Sequence, residues 1–307
     1  MSDPKPTLAI VGVGLIGASV ARAARKSGVA GRIIGVDQNA DIAARAVAIG
    51  AVDEALSLAD AAKAADHMVI ATPVGAAADL LAALPKIDGL IVSDVGSVKG
   101  AFVAAAESRP DLLVVPAHPI AGTEQSGPEA GFAELFQDRW CVLTPLDRND
   151  APYVAAVGTV STFWSALGAR VERMDAAHHD LALSVTSHLP HLIAFTLVGA
   201  ADDLEMVSEA EIVKYSAGGF RDFTRIAASD PVMWRDVFLN NKEAVLETLG
   251  RFTEELIGLQ RAIRWGDADT LEAAFARGRT LRRAIIDAGQ ESAEPNFGRD
   301  RRPSADD

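Results

Sequence analysis

The chain has 307 residues, enough for two domains, and its 49% hydrophobic and 23% charged content matches soluble globular proteins and argues against a disordered or fibrous one. Its 42 acidic and 29 basic residues give a formal charge of −13, which argues against nucleic acid or an anionic membrane as partner and leaves small anionic substrates to local cations. Cys141 is the single cysteine, so an intrachain disulfide framework and a cysteine-built zinc or iron–sulfur site are excluded.

From Thr7 to about residue 173, short apolar runs alternate with Ala-rich helical stretches, the pattern of a parallel sheet covered by helices. Strands are predicted at 8–11, 32–36, 68–71, 90–93, 112–115, 140–143 and 169–172. Helices lie between them, with Gly28 and Gly168 as C-terminal stops. Cys141 falls inside one of these strands and reads as buried and inert. After Met174 the strand signals vanish, and helices are predicted around 178–187, 192–200, 205–217, 232–264 and 268–288. The resulting domains are 1–173, α/β with a parallel sheet, and 174–290, all-α; the polar stretch 291–307, with Pro295 and Pro303, is predicted to be a disordered tail. Two stretches lack charge. Residues 7–21 hold three close glycines and no basic flank or cleavage site, a poor fit to a secretory signal. Residues 181–201 contain Ser184, Thr186, Ser187, His188, Pro190 and His191, too many polar groups to face lipid. A cytoplasmic protein with no membrane segment is expected.

The first strand ends in Gly12-Val13-Gly14-Leu15-Ile16-Gly17, a GxGxxG that follows a predicted strand and opens a predicted helix. Gly12 permits the tight turn, Gly14 lets the backbone approach a pyrophosphate, and Gly17 lets helix and strand pack closely. Asp37, at the end of the second strand, is placed to hold a ribose 2′-hydroxyl and would repel a 2′-phosphate. NAD is therefore expected over NADP; FAD, S-adenosylmethionine and a glycine-rich turn without ligand are the alternatives. Thr72 and Pro73, closing another strand, would border the same crevice.

Two further segments at predicted strand ends open into that crevice: Asp94-Val95-Gly96-Ser97-Val98-Lys99, and the run from His118-Pro119 to Glu124. A histidine beside a nicotinamide can take a hydroxyl proton while hydride leaves the same carbon, and its ordinary pKa of about 6.5 suits that work. Ser97 could fix the tautomer of His118. The alternatives are a structural histidine in a turn, and Ser97 and Lys99 beginning a helix. His178, His179, Asp180, His188 and His191 do not read as a metal site, because Pro190 interrupts the predicted helix and no HExxH spacing is present.

Taken together, these motifs resemble the prephenate and arogenate dehydrogenases of tyrosine biosynthesis. The resemblance also rests on His179-Asp180, on the run from Ser184 to His191, and on Gly218-Gly219-Phe220-Arg221-Asp222-Phe223-Thr224-Arg225. It implies a Rossmann-like N-terminal domain, a helical domain through which two chains form a homodimer, and oxidative decarboxylation of a cyclohexadienyl substrate. It further implies that His118 is the base, Arg221 a carboxylate clamp, Ser184 and His188 a substrate-side polar pair, and Glu124 part of a gate. Arg225 is held only as a supporting residue. No chorismate mutase segment precedes residue 7 and little chain follows residue 288, so built-in feedback control is not expected, although tyrosine could inhibit at the active site. Arogenate carries an ammonium where prephenate has a keto group; prephenate is the first expectation. Two other readings stay open: a β-hydroxyacid or imine reductase, which would need a catalytic lysine that Lys214 and Lys242 do not convincingly supply, and a non-catalytic NAD-binding regulator.

Overall fold

In the computed structural model, which describes residues 5–123, 125–208 and 218–287, the first apolar run becomes β1 (Thr7–Val11). Its last four residues are buried, as expected of a strand covered on both faces. The alternation that follows gives α1 (Leu15–Ser27), β2 (Arg32–Val36), α2 (Ala40–Ala48), β3 (Glu54–Ala55), α3 (Leu58–Ala64), β4 (His67–Ile70), α4 (Val74–Ala83), β5 (Ile91–Asp94), α5 (Gly100–Glu107) and β6 (Leu113–Val114). These six strands form one sheet in the order β3-β2-β1-β4-β5-β6, parallel throughout. The order reverses direction between β1 and β4, and in such sheets ligands bind outside the carboxyl ends of the strands at that point. Register sets the site residues level: Val11 lies beside Val36 and Ile70, and Ile70 beside Asp94. Gly28 ends α1 in the left-handed conformation expected of it, with φ 72°.

The later strand runs do not extend this sheet, contrary to the simplest reading of the pattern. β7 (Ala117–Pro119), β8 (Trp140–Leu143) and β9 (Arg170–Arg173) make a second sheet in that order, with β7 antiparallel to β8 and β9 parallel to it. Helix α6 (Ala151–Ala166) connects β8 to β9. A single apolar core nevertheless joins both sheets, with Phe136, Tyr153 and Trp164 among its largest buried side chains. Cys141 is buried within it.

After Arg173 the described residues are helical or in connections. α7 (Ala176–Leu183), a π-helical turn (Ser184–His188) and α8 (Leu189–Ser208) run on without a break. Pro190 therefore does not interrupt the helix. It lies two residues past the π turn, whose widened backbone accommodates a residue with no N–H to give. The stretch Ala176–Leu204 is long and apolar enough to cross a membrane by length and composition, with mean hydropathy 1.5. Its buried residues include His179, Asp180, Ser184 and His188. α9 (Gly218–Thr224) packs on α8. The predicted 232–264 helix is two helices, α10 (Pro231–Asn240) and α11 (Lys242–Trp265), separated at Asn241, whose φ of −113° and ψ of 35° leave the helical range. The last helix is α12 (Ala268–Asp287).

The chain divides into two compact units, Met1–Thr248 and Leu249–Asp307. In the second, Leu256, Ile257, Ile263, Trp265, Phe275, Leu281 and Ile285 are exposed. Glu124, Lys214, most of the predicted 205–217 helix beyond Ser208, and the predicted tail at 291–307 lie outside the described residues.

Candidate functional site

The glycine loop shows why Gly12 and Gly17 are needed. Gly12 has φ 90°, and a Cβ there would lie 2.6 Å from the Ala71 carbonyl oxygen. A Cβ on Gly17 would lie 1.9 Å from the Gly12 oxygen, so only glycine lets α1 approach its strand this closely. Gly14 differs, because a Cβ there would meet nothing within 4 Å. It begins α1 without a side-chain cap, so the first-turn N–H groups, on Leu15, Ile16 and Gly17, face a clear approach. Val13 N–H donates to Asp37 Oδ2 at 3.1 Å and Asn39 N–H to Oδ1 at 2.9 Å, tying the half-buried carboxylate to the loop. Each oxygen keeps acceptor capacity for a hydroxyl. Thr72 Oγ1 is buried with no hydrogen-bond partner among the described residues, and Pro73 caps α4 at the same edge. An open phosphate-sized approach, an available acid and an orphaned hydroxyl fit a dinucleotide.

Next along the sheet edge, Asp94 and Lys99 form a buried ion pair. Asp94 also accepts from Gly96 N–H at 2.9 Å and Ala117 N–H at 3.0 Å, while Lys99 Nζ donates to the Ala117 carbonyl at 2.7 Å. Both backbone groups of Ala117 are thus held by charged side chains, and the next residue is His118. Burial pulls the Lys99 pKa down, and Asp94 opposes that shift. Lys99 is also the N-cap of α5, as the helix-start alternative expects, while its side chain fixes β7 against β5.

His118 is 7% exposed. Its Nδ1 lies 2.8 Å from His179 Nε2, and His179 Nδ1 lies 2.8 Å from Asp180 Oδ1. Asp180 also accepts from the N–H groups of Lys99 at 2.8 Å and Gly100 at 2.9 Å. Its burial favours the neutral acid, yet the bonds from His179, Lys99 and Gly100 outweigh this and hold its carboxyl below the usual range. Burial, then His179, Lys99 and His188, push His118 well below 6.5. The bond expected from Ser97 to this imidazole is absent: Ser97 is half-buried, and His179 fills the position instead.

His188, fully buried on the π turn, places Nδ1 3.0 Å from Asn241 Nδ2, which also lies 2.8 Å from the Asp180 carbonyl oxygen. His188 Nε2 is buried with no hydrogen-bond partner among the described residues. Burial lowers its pKa to about 4. Ser184, one turn earlier, is committed elsewhere, 2.7 Å from the Leu181 carbonyl and 2.7 Å from Thr248 Oγ1. His191 stacks on Trp234 at 3.6 Å and bonds the Ser187 carbonyl, a structural arrangement. Arg221 is exposed on α9 and makes no ion pair with Asp222. The structure therefore joins His118, His179, Asp180, Asn241 and His188 in one bonded cluster, and shows no contact from Arg221 to it. Asn241 was missed altogether; its one trace in the sequence is the Asn240-Asn241 pair inside an amphipathic stretch. No cluster of three metal-ligating residues is found among the described residues.

Two family models match the chain. The nucleotide-binding domain of prephenate dehydrogenase covers residues 20–173, and the dimerization domain of prephenate dehydrogenase covers residues 175–277. The cyclohexadienyl dehydrogenase of Zymomonas mobilis is 39% identical over 284 residues, 91% of this chain and 95% of that one. The prephenate dehydrogenase of Bacillus subtilis is 33% identical over 305 residues, 97% of this chain and 80% of that one. The crystal structure of prephenate dehydrogenase from A. aeolicus in complex with hydroxyphenyl propionate and NAD+ superposes with a TM-score of 0.83 at 35% identity, covering 93% of this chain and all of that one.

Proposed function

Because the chain belongs to the prephenate dehydrogenase family, we propose that it oxidatively decarboxylates prephenate to 4-hydroxyphenylpyruvate with NAD, in tyrosine biosynthesis, using His118 as the base. The observation that carries this reading is the His118 imidazole at the sheet edge, bonded through Nδ1 to His179 and Asp180, with no protein partner at Nε2 among the described residues. The Gly12–Gly17 backbone would hold the pyrophosphate of NAD and Asp37 its ribose, with Thr72 and Pro73 beside them. When bound, NAD accepts the hydride that leaves C4 of the substrate ring.

His118 receives the C4 hydroxyl proton at Nε2 as that hydride departs. The C1 carboxylate then leaves as carbon dioxide, its bonding electrons enter the ring, and His118 returns a proton to the phenolate oxygen. Burial disfavours the imidazolium, and the Asp180 carboxylate, reached through His179, offsets part of that cost. Aromatisation drives the step, so the protein's contribution is orientation and charge neutralisation. Arg221 would grip a substrate carboxylate, for which a planar guanidinium is suited. His188, its pKa lowered by burial to about 4 and so neutral near pH 7, offers hydrogen bonding without a charge to attract an ammonium, which supports prephenate over arogenate. Glu124 remains a proposed part of a gate on the substrate side. Two chains would pair through the helical domain, a reading supported by the dimerization-domain match and by the exposed apolar side chains of the second unit.

Replacing His118 by Asn tests the base. Turnover should fall about 100- to 10,000-fold, the scale of losing a positioned acid–base group, with NAD affinity retained. In the unaltered enzyme the neutral imidazole is the active form. Its pKa lies well below 6.5, so kcat/KM should stay level as pH falls through that value and decline only below it. Undiminished turnover in His118→Asn would remove His118 from the mechanism.

A further inference from the structure

Asp180 lies at the junction of two hydrogen-bond paths, one from its carboxylate and one from its backbone carbonyl. Along the first, the carboxylate accepts from Lys99 N–H, Gly100 N–H and His179 Nδ1. An ionised carboxylate has no proton to give, so His179 Nδ1 carries the hydrogen. With that hydrogen as the ring's single one, Nε2 is bare, and His118 Nδ1, 2.8 Å from it, is the donor. His118 is left with an unprotonated Nε2.

Along the second path, the Asp180 carbonyl oxygen can only accept. The Asn241 atom 2.8 Å away is therefore the amide nitrogen, since the reversed amide would set two oxygens against each other. That nitrogen has a second hydrogen, directed at His188 Nδ1 at 3.0 Å. His188 Nδ1 is then bare and Nε2 holds the proton, where it is buried with no protein partner.

We infer that Asp180 and Asn241 are positioning residues that give the two site imidazoles opposite polarity, His118 presenting a lone pair and His188 an N–H through corresponding ring nitrogens. This rests on His118 being the base, and it deepens that reading by assigning which atom of each ring meets substrate. A lone pair at His118 Nε2 can take the hydroxyl proton. A hydrogen at His188 Nε2 can be given only to an acceptor oxygen, so the site selects keto or carboxylate groups there and rejects an ammonium. Two neutral imidazoles with unfixed tautomers would each spend part of their time in the unproductive form.

The test is ring-nitrogen NMR of the full-length protein labelled with 15N-histidine. Its six histidines are few enough to assign by single replacements. Unaltered protein should show Nδ1–H at His118 and His179 and Nε2–H at His188, a result that needs no substitution in the hub. Asn241→Leu should release His188 to a tautomer mixture while leaving the His118 signals in place. Asp180→Asn, which keeps the backbone carbonyl, should do the converse and lower kcat by about 10- to 100-fold, the scale reported for groups that orient a reacting ligand, with NAD affinity unchanged. Nε2–H at His118 in the unaltered protein would overturn the hub even if His118→Asn is inactive. An active His118→Asn would instead overturn the base assignment on which the hub rests. Movement of both imidazoles in either variant would also contradict the proposed division of labour.

Discussion

Arg221 sits exposed on α9 and makes no ion pair with its neighbour Asp222, so its guanidinium is available to a substrate carboxylate. Charged hydrogen bonds contribute about 1.5–3 kcal/mol, which predicts that Arg221→Ala raises KM for prephenate about 10- to 100-fold with a smaller change in kcat. Steady-state kinetics would read this directly, and an unaltered KM would exclude the clamp. Residues of this kind are legible because their chemistry is tied to a motif: the glycines to a strand–helix turn, His118 to a strand end. Partners are harder to read. Ser97 is near His118 in chain order along the sheet edge, yet the imidazole is bonded by His179 from a helix 61 residues away. No local pattern encodes such a pair, because it is set by the packing of elements far apart in the chain, here β7 and α7. The commitment of Ser184 to Thr248 has the same origin.

At the scale of elements, β1, the glycine loop and α1 form the unit on which the nucleotide site depends. Gly17 is its tightest point, since an added Cβ would lie 1.9 Å from a backbone oxygen and 2.9 Å from Ile10 Cγ2. Backbone cannot yield as a flexible side chain does, so Gly17→Ala should destabilise the fold by roughly 3 kcal/mol, the upper part of the overpacking range, and weaken NAD binding. Chemical denaturation with and without NAD would measure both, and wild-type stability would contradict the packing argument. Long apolar runs made the main strands readable, and Gly28 marked a helix end. The two-residue β3 and three-residue β7 are too short to show a periodicity. The break at Asn241 was hidden because apolar spacing continues across it; the side chain's bonds to Asp180 and His188 take the place of helix continuity.

For the whole molecule, composition excluded disorder and the βα alternation pointed to a parallel sheet, but it did not show that the last three strands form a sheet of their own. Within that second sheet β7 runs antiparallel to β8, a direction no sequence pattern specifies. The second unit leaves Ile263, Trp265 and Phe275 each more than 60% exposed, an apolar load that water disfavours on a free surface. A homodimer that covers them should show by light scattering a mass twice the 32.2 kDa of one chain. A single-chain mass at micromolar concentration would contradict pairing through these helices.

The reaction itself is read by NADH formation at about 340 nm with the purified protein, NAD and, in separate cuvettes, prephenate or arogenate. The expected result is turnover with prephenate at higher kcat/KM than with arogenate, accompanied by release of carbon dioxide. A folded protein that binds NAD and yields no NADH from either substrate would exclude this reaction.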